Sequence, residues 1–276
     1  MTKKRIVFPF RDIIGFLAAV IVFGVPFIFM LVNALKERTE ANLLNISWPK
    51  ELYWENFAEA FKANDYQIIT AFKNSTIIVV GSVILLVIVG SMGGYVLQRR
   101  KDKTSKFFNA LIMAGLMVPA AILPTIWVLQ KLGVYKTLYG MIFVEVALQI
   151  PFTMMLYRGF MSSVPKELEE AGYIDGCTRS RIFSSIIFPL LKPVTSTVII
   201  LNAVTIFSDF TNPLYFLPGK ENATVQLTLY NFMGQYSSSY NLLFANVIII
   251  TIPMLILFIF FNKKIVDGMV AGAVKG

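Results

Sequence analysis

Val164-Pro-Lys-Glu-Leu-Glu-Glu-Ala-Gly-Tyr-Ile-Asp-Gly176, continuing to Ile187-Phe-Pro-Leu-Leu-Lys-Pro193, is a charged island between two long apolar runs. Pro165 suits the opening of a helix, because the N–H it lacks has no partner at that position in any case. Glu167, Glu169 and Glu170 then fall in the first turns, where the positive end of the helix dipole favours carboxylates. Gly176 suits the end of the helix, where the chain often turns left-handed. Leu168, Ala171, Gly172 and Ile174 come close to one face. The segment therefore predicts a short amphipathic helix whose apolar stripe needs a partner from elsewhere.

The runs on either side set the fold class. Hydrophobic residues make up 56% of the 276 and charged residues 15%, and the mean hydropathy is +0.68. That is too apolar for a soluble domain of this size and implies an all-α integral membrane protein. A helix needs about 20 apolar residues to cross ~30 Å of hydrocarbon, and stretches of that kind occur at 13–35, 68–97, 107–129, 138–157, 194–217 and 242–261. The first run is longer than a signal-peptide core and is followed by no small-residue cleavage site, so it reads as a retained span. The expected organisation is an N-terminal segment 1–12, a six-span domain 13–262 and a tail 263–276. The island loop, 158–193, lies on one side of the membrane, and loops 36–67 and 218–240 lie on the other.

Charge assigns the sides. Lys3, Lys4, Arg5 and Arg11 share a side with Arg99, Arg100, Lys101, Lys103 and Lys106. Arg158, Lys166, Arg179, Arg181, Lys192, Lys263, Lys264 and Lys275 complete that majority of the 25 basic residues. The positive-inside rule puts both termini and the island in the cytoplasm of a multi-pass cell-membrane protein. The net charge of +9 is thus a topology signal and not a nucleic-acid-binding surface. With no His and the single Cys177, a disulfide framework, an ordinary zinc site and His-based acid–base chemistry are excluded. The chain contains no G-x-x-x-x-G-K-[ST], so it does not bind ATP through a phosphate loop of its own. If it pumps, another subunit is the motor.

Glu170-Ala-Gly, then Gly176, then Phe188-Pro189 resembles the EAA loop of ATP-binding-cassette (ABC) importer permeases, with Gly172 where that family usually has Ala and Phe188 where it often has Leu. Other matches follow in register. Leu52-Tyr-Trp-Glu-Asn56-Phe57 precedes the second span, Asn74-Ser75 begins it and Tyr95-Val-Leu-Gln-Arg99 ends it. Leu116-Met-Val-Pro119, Gly159-Phe160, Pro165-Lys-Glu167 and Gly272-Ala-Val-Lys-Gly276 continue the series over nearly the whole length. In this order they are similar to the carbohydrate-type permeases of the maltose-importer class.

The resemblance implies a six-span subunit that pairs with a second, homologous permease as a heterodimer. It implies two ATPase subunits, which carry the ATP and magnesium, an extracellular solute-binding protein, and a sugar or oligosaccharide moved by alternating access. This chain would hold no cofactor and catalyse no reaction. The island becomes the coupling helix, with Glu167, Glu170, Ala171, Gly172, Asp175 and Gly176 as its ATPase-coupling residues.

Polar groups inside spans are the candidates for the substrate pathway, because each costs ~2.5–3.5 kcal/mol to insert as a charge and avoids lipid. Glu145 and Gln149 are four apart on one helical face. Asn202, Phe207, Asp209, Phe210 and Asn212 offer the hydrogen bonds and aromatic faces that suit a neutral polyol. Polar groups of this kind also serve as glue between helices, and both readings stand. The spans carry no Arg or Lys near mid-membrane, which favours a neutral cargo over glycerol phosphate, with peptides and polyamines as further cargo alternatives. A standalone carrier or channel would leave the island helix unexplained, and an acid pair of Glu145 and Asp209 is the only intramembrane catalysis available.

Three further features complete the reading. Leu52, Trp54, Phe57 and Phe61 suit a helix lying in the outer membrane interface. Pro119, Pro124, Pro151 and Pro253 lie inside spans and mark kinks. The loop from Pro218 to Tyr240 is rich in turn formers and amides, and by resemblance it reaches the binding protein.

Overall fold

The computed structural model describes residues 10–117, 120–234 and 238–273, and every regular element among them is helical. In chain order these are α1 (Ile14–Ala34), α2 (Arg38–Ala41), α3 (Glu55–Arg99), α4 (Lys103–Met117), α5 (Ile122–Lys131) and α6 (Leu138–Met161). They continue as α7 (Glu167–Ile174), α8 (Arg179–Leu190), α9 (Lys192–Phe207), α10 (Thr211–Phe216) and α11 (Tyr240–Ala273), with a 3-10 turn at Gln226–Phe232 before the last. The terminal motif residues 274–276, the basic residues at 3–5 and Pro119 lie outside the described residues.

Among the described residues, α1, α3, α6 and the Tyr240–Phe260 part of α11 are long and apolar enough to cross a membrane. The pair α8 and α9, bent by 76°, supplies a fifth crossing if it counts as one span. The expected third span, 107–129, is divided between α4 and α5, of 15 and 10 residues. At 1.5 Å per residue these reach only about 22 and 15 Å, short of the hydrocarbon thickness. Pro124 sits in the first turn of α5, where a missing N–H is harmless. The expected fifth span also ends early, since α9 stops at Phe207 and the chain restarts as α10. The 76° bend falls at Leu191, between Pro189 and Pro193, where two absent amide donors interrupt the helical ladder.

The chain forms two compact units, one of residues up to Ile68 with Thr228–Pro253, the other of Ile69–Leu227 with the residues from Met254. In the first, Ala34, Ala60, Phe232 and Ala245 form the core. The end of α1 leaves backbone carbonyls without partners, and buried Asn56 meets them, donating Nδ2 to Ala34 O and Lys36 O at 2.8 Å each. Asn241 Nδ2 in turn donates to Asn56 Oδ1 at 2.9 Å. Lys36 is fully buried, with its three protons directed to Asn33 Oδ1 (3.2 Å), Asn45 O (2.9 Å) and Asn45 Oδ1 (2.7 Å). Burial draws its pKa below the ordinary lysine value, against the opposing pull of Glu40. The anticipated interfacial helix is the start of α3. Leu52 and Trp54 precede it and are exposed, Trp54 stacks on Phe57 at 6.3 Å, and the helix breaks at Ala63–Tyr66, where Asn64, Asp65 and Tyr66 are left-handed.

The second unit carries two apolar clusters. One includes Leu86, Met141, Val144, Ile206 and Leu217. The other, beneath the island, includes Tyr157, Met161, Ile182, Ile187 and Val198. Gly94 lets α3 press against α6, since a Cβ there would come within 2.6 Å of Tyr157 Cβ and 3.0 Å of the Arg158 amide nitrogen.

Candidate functional site

The island folds as an eight-residue helix, α7, with Glu167, Glu169 and Glu170 in its first turn. Its end has the geometry the sequence anticipates. Gly176 adopts φ +74°, its N–H donates to Tyr173 O at 3.1 Å and the Cys177 N–H donates to Gly172 O at 2.9 Å, the paired bonds of a Schellman closure. A side chain at 176 would strain that turn.

α7 turns Gly172 inward with Glu169 and leaves the rest of the expected apolar stripe, Leu168, Ala171 and Ile174, exposed. Glu169 and Gly172 are the buried positions, whereas Leu168, Tyr173 and Ile174 are exposed, Ile174 at 86%. The separation has a physical cause in Glu169. Arg99 Nε donates to its Oε1 at 2.5 Å and the Tyr95 hydroxyl donates to its Oε2 at 2.8 Å. Arg99 Nη2 also donates to Val164 O at 2.8 Å. A carboxylate with both oxygens engaged is tolerated where an unpaired one would not be. Gly172 sits against α8, and a Cβ there would lie 3.0 Å from Ile186 Cδ1 and 3.1 Å from Ile182 Cγ1. The glycine thus allows α7 to lie close on α8, and an alanine would require those tips to shift by a few tenths of an ångström.

Of the coupling residues anticipated, Glu167, Glu170, Ala171, Asp175 and Gly176 are exposed and Gly172 is buried. Glu169 and Arg99, which hold the helix, were missed as a pair. Glu169 reads like its acidic neighbours, and the available signal was its i, i+3 relation to Gly172 on one face. Tyr173 also lines a cleft of about 410 Å³ with Tyr95, Arg99, Arg179 and Phe183 beside the helix.

The intramembrane candidates divide. Asp209 lies close enough to Glu145 to act on it electrostatically, and Glu145 is 1% exposed with its Oε1 accepting no hydrogen bond among the described residues. Asp209 is half-buried and receives the Asn212 N–H at 3.1 Å and Asn212 Nδ2 at 2.6 Å. Asn202 belongs elsewhere. It is buried, donating Nδ2 to Val198 O at 2.8 Å and to Thr153 Oγ1 at 3.2 Å, so it ties α9 to α6. Phe207 is buried against Phe72, with ring centroids 6.4 Å apart. Gln149 and Phe210 are half-buried. The structure thus brings Glu145, Asp209 and Asn212 together and leaves Asn202 and Phe207 in packing roles.

On the far side of this unit, Asn74 Nδ2 donates to Glu221 O and Ala223 O at 2.9 and 3.1 Å. The Val225 N–H donates to Ser75 Oγ at 3.0 Å. The Asn74-Ser75 pair therefore pins the first part of the long loop 218–240, and Asn222 Nδ2 reaches Lys136 O at 2.9 Å. Residues 235–237 of the loop lie outside the described residues. No cluster of three or more His, Cys, Asp or Glu side chains capable of holding a metal occurs among the described residues.

Residues 87–270 match the family described as "Binding-protein-dependent transport system inner membrane component". The chain belongs to this family. Sequence relatives extend the match along the chain. It is 34% identical to the melibiose/raffinose/stachyose import permease protein MelC of Bacillus subtilis over 269 residues, 96% of each chain. It is 32% identical to the probable starch degradation products transport system permease protein AmyC of Thermoanaerobacterium thermosulfurigenes over 252 residues, 91% of each. A third relative, the arabinooligosaccharides transport system permease protein AraQ of Halalkalibacterium halodurans, is 32% identical over 268 residues, 95% of this chain and 94% of that one. The fold matches a chain of a bacterial ABC transporter that imports alginate, at TM-score 0.75 and 17% identity, covering 94% of this chain and 99% of that one. As an inner-membrane transport component, the chain uses its apolar helices as membrane segments and is not itself an enzyme. The exposed face of α7 and the neighbouring acids of α6 and the α9–α10 link are the features of this transport component that a function must explain.

Proposed function

We propose that the chain is one of two permease subunits of a binding-protein-dependent ABC importer for a sugar or oligosaccharide. The exposed side of α7 carries this reading. Leu168, Ala171 and Ile174 stand out from a helix whose other side is fixed by Glu169 and whose end is closed by Gly176. An exposed apolar patch ringed by carboxylates marks a docking surface. Its occupant is an ATPase subunit, which supplies ATP and magnesium, with Glu167, Glu170 and Asp175 at the rim. Six membrane crossings follow if α4 and α5 together make one span and α8 and α9 another, with both termini and α7 in the cytoplasm.

Cargo moves by alternating access. Closure of two ATPases displaces α7 and its counterpart on a homologous partner permease, and the spans reorient the cavity. Such coupling requires the docking face to bind the two ATPase states with different free energy. Asp209, Phe210, Asn212 and Gln149 are accessible enough to meet a neutral polyol, with Glu145 behind them. The relatives' names, which speak of melibiose, starch products and arabinooligosaccharides, support a sugar cargo. The loop held by Asn74 and Ser75 meets the solute-binding protein.

The test is to purify the tagged chain from its own membrane in mild detergent and identify what remains bound, with stoichiometry. A second permease and two copies of a phosphate-loop ATPase are expected. A stable chain that is recovered alone and still transports would replace this reading with a carrier or channel.

A further inference from the structure

The turn from α3 to α4 carries a basic pocket apart from the residues assigned above to cargo and ATPase docking. Arg100, Lys101, Lys106 and Arg158 surround a cavity of about 370 Å³. Arg158 is set in place by Asn109 Oδ1 and by Gln98 Oε1, the latter at 3.4 Å. Arg100, Lys101 and Lys106 form no ion pair among the described residues. Two acids lie near them: Asp102, whose Oδ1 accepts the Ser105 N–H at 2.8 Å, and Glu169, which shares a cleft with Arg100 but is engaged by Arg99 and Tyr95. Four cations around one cavity repel one another at short range, an arrangement that an incoming anion relieves.

A second cavity, of about 270 Å³, shares Leu97, Arg100 and Ser105 with the first and runs away from it between α3, α4 and α6. Its walls are mostly apolar, with Gly93, Val96, Phe108, Ile112 and Met154 joined by Asp102 and Thr104. The outer surfaces beside it are apolar too, with Phe107 65% and Leu111 56% exposed. A negative head joined to an apolar tail, in that order, is what the two cavities together complement. A soluble phosphate would satisfy only the first, and an acidic protein surface would leave the second empty.

We propose that this pair of cavities binds an anionic phospholipid, its phosphate among Arg100, Lys101, Lys106 and Arg158 and an acyl chain between Val96, Phe108 and Met154. Basic pockets between membrane helices recognise such headgroups in this way. The proposal rests on the orientation given above only for the leaflet that supplies the lipid.

The test uses the chain with its co-purifying subunits in nanodiscs of equal phosphatidylglycerol and phosphatidylcholine, followed by detergent exchange and mass spectrometry of the lipid retained. Phosphatidylglycerol is expected to stay bound in preference to phosphatidylcholine. Lys101→Gln with Lys106→Gln, two exposed positions whose change spares the packing, lowers that preference roughly 25-fold, about fivefold for each cation removed at a membrane surface. Phe108→Glu abolishes retention while leaving the cations in place. Equal retention of the two lipids by the wild type, or retention indifferent to the double substitution, overturns the proposal. Retention that survives Phe108→Glu, or binding of inorganic phosphate that displaces the lipid without loss on Phe108→Glu, reduces the site to a free-anion site and overturns it as well. A result placing Lys101 outside the cell moves the site to the other leaflet and bears on the orientation alone.

Discussion

Asn56 shows how much one amide can hold. Its Nδ2 satisfies Ala34 O and Lys36 O, and its Oδ1 accepts from Asn241, so three elements of the first unit meet at one buried side chain. Asn56→Ala leaves two carbonyls and one amide unpaired in the interior, at a cost of ~1–3 kcal/mol for each stranded group before relaxation. The purified chain should melt several degrees lower than wild type, with Asn56→Gln intermediate; an unchanged melting temperature would show that water reaches the site. Asp209 is a different case, because its partners Asn212 and Glu145 surround a group still open to solvent. Asp209→Ala should lower cargo uptake roughly 10- to 100-fold, the worth of one hydrogen bond to a charged group, while leaving co-purification of the partner subunits intact. Equal loss of uptake and assembly would make Asp209 helix glue instead.

Among elements, α7 is where the sequence was informative about form and about the exposed stripe, and silent about what holds the other side. The island's helix, its acidic first turn and its glycine closure follow from residues within one another's reach, and Gly176 closes the helix as its lack of a side chain demands. The inward side does not follow from local pattern. Arg99 lies 70 residues from Glu169, and periodicity over one turn carries no information about so distant a charge. Within the run 107–129, averaged hydropathy likewise passes over the interruption between α4 and α5. The Glu169–Arg99 pair has a mechanical consequence. It joins α7 to the end of α3, a candidate membrane span, so a push on α7 reaches a membrane segment through a bond with both partners largely buried. Removing one partner of such a pair costs on the order of 3 kcal/mol. Glu169→Ala should therefore retain ATPase binding through the exposed face but lose stimulation of ATP hydrolysis by the cargo-loaded binding protein. Glu170→Ala, at an exposed position, should weaken ATPase binding itself. A charge swap, Glu169→Arg with Arg99→Glu, should restore part of the stimulation, and if Glu169→Ala stimulates normally the pair is structural only.

At the scale of the whole molecule, the distribution of charge makes a statement that contacts cannot. The apolar helices fix that the chain crosses the membrane, but helices of either direction bury the same surface, so sidedness comes from the distribution of basic residues along the chain. Cys177 is the only cysteine, which makes the question accessible. In a Cys177→Ser background, a cysteine introduced at the exposed Glu221 should react in intact cells with a membrane-impermeant maleimide. One introduced at Asp175, on the exposed side of α7, should react only after the membrane is permeabilised. The reverse pattern would put α7 outside, beyond the reach of any ATP-driven subunit, and the docking surface would then have to serve an extracellular partner. Reaction at both positions in intact cells would mean that the loop held by Asn74 and Ser75 lies on the same side as α7, which an odd number of crossings between them would forbid. With α8 and α9 as one span between positions 175 and 221, the count is odd, so the two labels must differ; a shared label would show that the bent pair turns back without crossing.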